Sequence, residues 1–187
     1  EVFLVDYFKE LFLKSASLPR ILHSITTNAL LIDEEWAKIL AYSNVSLLCS
    51  IDSVIKSTYE SIRRGGKFED LLKNLDLIND ANKKYDGNIQ LHLMAVVMKR
   101  NYQELLLFPQ FCKKFNFRTL IFDTLWPELL PDEDILSNSD INTLEYLRQV
   151  LNAVGEECKK YNIYFRCTFK SYLANHNGRE KNSSDES

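Results

Sequence analysis

Apolar positions follow two different periods along this chain, and these periods predict helices and strands in alternation. Phe8, Leu11 and Phe12 recur at helical spacing, which predicts a first helix over residues 2–14. Short apolar and β-branched runs without that spacing predict buried strands. Such runs lie at residues 21–27, 46–51, 89–97, 119–124 and 163–169.

The segments between these strands carry helical periodicity together with signals for helix ends. Asp33 is a good N-cap for the helix that follows the first strand, because its carboxylate can accept a bond from a free backbone N–H. Pro109 is expected to delay or kink the helix that contains it. The further helices are predicted at residues 34–42, 56–63, 68–85, 102–115 and 141–161.

Nearly continuous apolar strands that alternate with helices predict an α/β fold with a parallel sheet. About five strands would form part of a (β/α) TIM-type barrel or a doubly wound open sheet, and propensity alone does not choose between them. With five glycines and no glycine-rich loop after a strand, the chain has no dinucleotide fingerprint or P-loop. We expect one unit over residues 1–170 and a polar, disordered tail over 171–187.

Composition and charge indicate which binding partners and which cellular compartment to expect. The 187 residues carry a net charge of −3, which makes a nucleic-acid partner unlikely, and no apolar run is long enough to span a membrane. No two of the four cysteines lie within four residues of each other, so a local zinc or cluster site is not expected. Unpaired thiols favour a cytoplasmic location. The chain begins in mid-pattern without Met, which is typical of a fragment.

Ligands of parallel βα folds meet the carboxyl ends of the strands, and polar residues follow the predicted strands here. Ser50 and Asp52 lie two residues apart, so both side chains point to the same side of the second strand end. Arg63 ends the next short helix, where its planar guanidinium could bind a carboxylate. In the alternative interpretation, Asp52 caps that helix and Arg63 is an ordinary surface residue.

Other polar residues also have two interpretations. Asn101 follows the third strand, where it could contact a ligand or cap the next helix in a capping box with Glu104. His23 and His92 lie within apolar strands and are interpreted as core histidines rather than bases. The residues themselves therefore predict an α/β domain with polar strand ends, and no catalytic residue is assigned.

Four stretches, taken in order over residues 21–125, resemble the radical S-adenosylmethionine (radical SAM) superfamily, especially its members with a SPASM or twitch domain. The most specific is similar to the family segment S-I-D-G … Y-x-x-I-R-x-G-x-F-x-x-V-x-x-N-I. The others resemble the family's TNG turn, its M-x-x-N-x-x-E-L loop and the strand that follows. The stretches are LLCSIDSVIKSTYESIRRGGKFEDLLKNL, SITTNALLIDEEWAKIL, IQLHLMAVVMKRNYQEL and FNFRTLIFDTL.

This resemblance implies a binding site for S-adenosylmethionine. Ser50 and Arg63 match the family residues that contact the methionine moiety. Asp52 and the turn residues Thr27 and Asn28 match positions that line the same cavity. Two further matches are Asn101, beside the adenosyl group, and Glu1, as the glutamate of the family's G-G-E segment, which binds the amino group of the ligand.

The chain also departs from the family pattern. The C-x-x-x-C-x-x-C loop that ligates the [4Fe–4S] cluster is absent from the sequence, as is the cysteine cluster of a SPASM domain, and no metal ligand is assigned. Ala29 and Ser53 stand where the family usually has glycine, which restricts the backbone at two loops near the cofactor. These two replacements are expected to alter the binding of S-adenosylmethionine.

The resemblance implies that the parent protein is a radical SAM enzyme, in which a [4Fe–4S] cluster cleaves S-adenosylmethionine and starts radical chemistry. The chain alone is expected to be inactive, because the cluster ligands are not in it. The alternative is a degenerate, non-catalytic barrel that serves as a binding or scaffold module. We expect a small-molecule or peptide substrate, no membrane partner, and a homodimer through an exposed sheet edge.

Overall fold

A computed structural model describes residues 6–16, 18, 21–125, 130–137 and 139–175 of the chain. Within these residues, five parallel strands form one sheet. The fold class predicted from the sequence is confirmed. The strands are β1 (His23–Thr27), β2 (Asn44–Ser50), β3 (Asn88–Val97), β4 (Phe117–Thr124) and β5 (Tyr164–Cys167).

In the described part of the chain, helices connect the strands, and two 3-10 segments interrupt the pattern. Asp33 caps the second helix as predicted, because its Oδ1 accepts a hydrogen bond of 2.8 Å from Trp36 N. The 3-10 segments are Tyr102–Leu107 and Pro131–Glu133. The helices are α1 (Asp6–Ala16), α2 (Glu34–Ala41), α3 (Lys56–Ile62), α4 (Phe68–Lys84), α5 (Phe108–Lys114), α6 (Ile141–Lys160) and α7 (Lys170–Asn175).

The strand order distinguishes between the two types of sheet that the sequence pattern allows, a partial barrel and a doubly wound sheet. The strands lie side by side in chain order, β1-β2-β3-β4-β5. Because parallel crossovers are right-handed, steps that all run in one direction place the connecting helices on the same face of the sheet. A doubly wound sheet reverses direction and covers both faces. This arrangement is therefore part of the wall of a βα barrel.

The two faces of the sheet differ in burial. Val45, Leu47 and Cys49 of β2 are completely buried and pack with helix residues such as Leu75 and Leu147 in one hydrophobic core. The alternate residues of the same strand are only half-buried on the other face. A one-residue shift of register would exchange these two sets, so the alternation specifies which face the helices cover.

Two segments differ from their predicted forms. The predicted helix over residues 102–115 is a 3-10 turn followed by α5, and Pro109 lies in the first turn of α5, where its missing N–H leaves no helical bond unmade. The start of the predicted disordered tail forms α7, whose Leu173 is buried because it packs into the core. Residues 176–187 lie outside the described part of the chain.

Candidate functional site

Ser50, Asp52 and Arg63 meet where β2 ends, as the sequence predicted. One nitrogen of the Arg63 guanidinium, Nη2, lies 2.6 Å from Asp52 Oδ2 and donates a bond of 2.6 Å to Ser50 Oγ. The Asp52 side chain is 7% exposed and that of Arg63 is 30% exposed. The ion pair therefore lies at the boundary between the core and the surface of the protein.

The surface interpretation of this pair is wrong. The N-cap of α3 is Ile55 rather than Asp52, and its side chain makes no capping bond. Asp52 instead uses its second oxygen to accept a 3.0 Å bond from Val96 N near the end of β3. Asp52 thus links two neighbouring strands and holds Arg63, because a buried carboxylate needs both a counter-charge and hydrogen bonds.

Asn101 joins the loops that follow β2 and β3. Its amide nitrogen donates to Asp52 O at 2.6 Å and to Val96 O at 2.8 Å, while its side-chain oxygen accepts from Met98 N at 2.7 Å. The predicted capping box is not formed, since the Asn101 side chain makes no capping bond. The residue is 1% exposed, and its amide therefore positions the backbone of this edge.

The loop after β1 folds back on its own backbone. Thr27 Oγ1 accepts a 3.0 Å bond from Ala29 N, and Asn28 Oδ1 accepts one of 3.0 Å from Leu30 N. Ala29 has a φ of +62° and is completely buried, so the family's glycine position requires the left-handed backbone that glycine adopts easily. Glu1 lies outside the described residues.

Asn74 belongs to this edge but was missed in the sequence analysis. It occurs on α4 among the buried residues Leu71, Leu75 and Ile78, and its amide donates to Ala29 O at 3.0 Å and Leu30 O at 2.9 Å. A polar residue on the apolar stripe of a helix was the available signal, because buried amides need partners. The matched family segment also ends in this asparagine.

Ser53, the second residue in place of a family glycine, has a side-chain partner rather than strain. Its hydroxyl donates to the buried carboxylate of Glu104, and its Oγ accepts a 3.0 Å bond from Ile55 N. Ser53 is not among the described residues with positive φ. Glu104, predicted as half of a capping box, therefore ties the 3-10 segment after β3 to the loop after β2.

A further ion pair fastens the segment after β4. Arg100 Nε donates to Glu133 Oε1 at 2.8 Å, and the backbone N–H of Lys99 donates to Glu133 O at 3.1 Å. The hydrogen bonds from Arg100 hold the pKa of Glu133 below its ordinary value. Arg100 also donates a 3.4 Å bond to Ser61 O in α3. The loop after β3, the segment after β4 and α3 are thus joined at the carboxyl edge.

The two strand histidines have the structural partners expected of them. His92 Nδ1 lies 2.9 Å from Thr119 Oγ1 on the neighbouring strand, and burial, with the nearby charge of Arg118, lowers the pKa of His92. His23 Nε2 lies 2.9 Å from Ser15 Oγ in α1. Neither contact involves Arg63 or Asp52.

The described residues offer no place for a cluster or metal ion. They contain no group of three or more histidine, cysteine or acidic side chains that could hold a metal. All four cysteines are free, and Cys49, Cys112 and Cys158 are buried. Burial raises the pKa values of Cys158 and Cys167 to about 11, so these thiols are poor sources of thiolate. The residues present do not fit a [4Fe–4S] cluster.

Comparison with known proteins places this geometry in a family. A model described as the Radical SAM superfamily matches residues 1–108, more than half of the chain. An uncharacterised protein of Archaeoglobus fulgidus is 32% identical over 83 residues, which make up 44% of this chain and 18% of that protein.

Solved structures agree on the fold. Streptococcus suis SuiB bound to precursor peptide SuiA is 19% identical with a TM-score of 0.68, covering 93% of this chain and 38% of that one. SuiB bound to S-adenosylmethionine is 20% identical with a TM-score of 0.68, covering 89% and 37%. Native anSMEcpe with bound AdoMet is 21% identical with a TM-score of 0.54, covering 78% and 40%.

The chain spans less than half the length of each of these proteins. At these identities the solved structures show the fold alone. None of the helices in the described part of the chain combines the length and the apolar character needed to cross a bilayer.

Proposed function

The chain belongs to the Radical SAM superfamily, and we propose that its carboxyl-edge loops bind the methionine end of S-adenosylmethionine. The observation that carries this proposal is the Arg63 guanidinium beside Ser50 Oγ at the end of β2. A guanidinium offers five donors in a planar fork that matches a carboxylate. Here Asp52 and Ser50 contact one nitrogen of that fork, Nη2, while 30% of the arginine side chain stays exposed.

The donor set fits the carboxylate of the ligand. Arg63 would bind the carboxylate, and the Ser50 hydroxyl would supply a second polar contact. The Nε of Arg63 is buried without a hydrogen-bond partner among the described residues, so the guanidinium keeps donor capacity that Asp52 and Ser50 do not use. Asp52 keeps the cation in place before the ligand arrives, which reduces the ordering cost of binding.

In the complete enzyme, S-adenosylmethionine supplies the group from which the radical is made. We assign this chain only binding and orientation. Asn101 and Asp52 hold the loops in register, and the buried core beneath them limits access of water to the ligand. We propose that the thiolate ligands of the cluster come from outside this chain, since the described residues offer no cluster site.

The proposal extends to the substrate and the setting of the parent protein. A peptide or small-molecule substrate would approach the open face of the sheet. Of these two substrate classes, the peptide is supported by the precursor peptide bound to SuiB. The free cysteines suit a reducing cytoplasm, and the outer strands β1 and β5 offer edges through which two copies could pair.

Calorimetric titration with S-adenosylmethionine tests the site. Ser50→Ala removes the hydroxyl, and Arg63→Lys keeps the positive charge beside Asp52 but removes the planar fork. We expect each change to weaken binding by about tenfold, the effect of one good charge-assisted bond. Arg64→Lys is the matched control, because it makes the same chemical change at the exposed neighbouring residue.

Two results would contradict this assignment. One is equal affinity in wild type, Ser50→Ala and Arg63→Lys, and the other is an equal loss in Arg64→Lys. Circular dichroism of each variant shows whether a loss of affinity comes from unfolding.

A degenerate barrel that acts as a scaffold is the second candidate. It is favoured by the bonds of Arg63 to Asp52 and Ser50, which already give the cation a structural role. The same titration separates the two functions. Saturable binding that Ser50→Ala and Arg63→Lys weaken favours the enzyme, whereas binding that neither change weakens favours the scaffold.

A further inference from the structure

The loop after β1 contains a residue with a strained backbone, which neighbouring groups must hold in place. Ala29 has a φ of +62° and no exposed surface. For a residue with a β-carbon, this backbone is unfavourable and persists only where the surroundings enforce it. The loop carries Thr27 and Asn28, which the proposed function places at the ligand.

The side chain of Asn74 ties the strained segment to α4. Its two amide hydrogens serve the two consecutive carbonyls of Ala29 and Leu30, at 3.0 and 2.9 Å. The residue is 9% exposed and projects from α4, a helix of 17 residues anchored in the core. The helix α4 therefore holds both carbonyls, which follow the strained φ of Ala29 in the chain.

The loop in turn contacts the turn that carries Arg63. Leu30 packs so closely against Gly66 that a β-carbon at Gly66 would lie 3.0 Å from Leu30 Cδ1. The backbone N–H of Gly66 donates a 2.9 Å bond to Arg63 O. A continuous set of contacts thus runs from Asn74 through Leu30 to the backbone of Arg63.

We infer that Asn74 is a positioning residue for the S-adenosylmethionine site, an inference that rests on the proposed function. Its amide stabilises the left-handed conformation of Ala29 and so holds the loop that bears Thr27 and Asn28 against the Arg63 turn. Removing the amide leaves two carbonyls without their donor and leaves the strain at Ala29 to be offset by the loop's own bonds, which Thr27 and Asn28 accept. The loop then leaves its binding conformation although the helical core remains.

The test compares wild type with Asn74→Asp, in which an isosteric side chain presents oxygens that repel both carbonyls. Hydrogen exchange of the loop amides, followed by mass spectrometry, reads out the conformation without any ligand. Titration with S-adenosylmethionine reads out the site. We expect Asn74→Asp to speed loop exchange by about tenfold or more and to weaken binding by about tenfold. Asn74→Ala provides the same comparison if the aspartate variant unfolds.

Asn79 offers a matched control on the same helix. Its amide also donates to two backbone carbonyls, Leu75 O at 2.9 Å and Phe115 O at 3.0 Å, but these lie away from the loop. Asn79→Ala should leave both loop exchange and affinity at wild-type values. An equal effect from both positions would mean that Asn74 merely stabilises the fold, and would overturn the inference.

A second change at Ala29 tests the cause. Glycine adopts a positive φ without strain, so Ala29→Gly combined with Asn74→Ala should regain most of the lost affinity and loop protection. A double variant as defective as Asn74→Ala alone, or unchanged exchange in Asn74→Asp, contradicts the proposed role. If wild type binds no S-adenosylmethionine, the proposed function fails, while the exchange comparison still decides whether Asn74 holds the loop.

Discussion

The two edges of the sheet are built on different chemistry. At the amino edge, short turns lead from helices into strands, and Asp86, Asn116 and Asn162 take the positive φ that such turns need. Polar contacts there include the exposed bond of 2.8 Å from Asn88 to Asn44. Among the described residues, the carboxyl edge buries more polar side chains, namely Thr27, Asp52, Ser53, Asn101 and Glu104, whereas the amino edge buries Ser43.

This difference separates residues that turn the chain from residues that can bind. A small polar residue at a turn satisfies its own backbone and costs little. A buried network is expensive unless every member is paired, so it is retained where a fixed geometry is needed. The carboxyl edge bears that cost, and the family match covers residues that form it.

The largest expected effect comes from Arg63→Ala at the carboxyl edge. The change leaves Asp52, whose side chain is 7% exposed, without its counter-charge. We expect the free energy of unfolding to fall by about 2–4 kcal/mol in urea titrations, because the carboxylate stays buried and unpaired. Arg64→Ala is the control and should change it by less than about 0.5 kcal/mol. Equal losses in the two variants would mean that the ion pair between Arg63 and Asp52 contributes no more to stability than an exposed arginine does.

Gly87→Ala tests the amino edge, with a smaller expected effect. A β-carbon at this turn would lie 2.6 Å from Ala41 O and 2.7 Å from Asn82 Oδ1, so the turn would have to move. We expect a loss of about 1–3 kcal/mol in thermal or urea unfolding. Affinity for S-adenosylmethionine should be unchanged at temperatures where the variant is folded. A change in affinity would break the separation between the two edges.

The smallest effect is expected from Ser53→Gly, which restores the family residue. Glu104 would lose the hydroxyl that donates to its buried carboxylate, and stability should fall by about 1–2 kcal/mol. Ala29→Gly restores the family residue at a strained position, where φ is +62°, and should not destabilise the protein. The free energies of unfolding of both variants, measured in urea, test this difference. Similar losses would show that strain at Ala29 is negligible.

Much of the fold could be predicted because its signals are local. Apolar runs predicted every strand, and Asp33 predicted the start of α2. The order of the strands could not be predicted in this way, since neighbouring strands are paired through space and both sheet types share the same local pattern. The short helix α7 was missed because its flanking sequence is polar, and only Leu173 is buried in the core.

The candidate site was predicted in part. Ser50, Asp52 and Arg63 could be grouped from strand-end positions and the family motif, and the structure brings them together. The partners of Asn101 could not be predicted, because Asp52 O, the nearest of them in space, is separated by 49 residues in the chain. The same holds for Asn74, whose partners Ala29 and Leu30 lie on another loop.

The sequential strand order also bears on how the chain is synthesised. Among the described strands, each of β2 to β5 pairs with the strand made just before it, so each of these βα units finds a completed neighbour as it leaves the ribosome. Vectorial folding of this kind keeps the search for partners short and limits the time for which apolar edges are exposed to other chains.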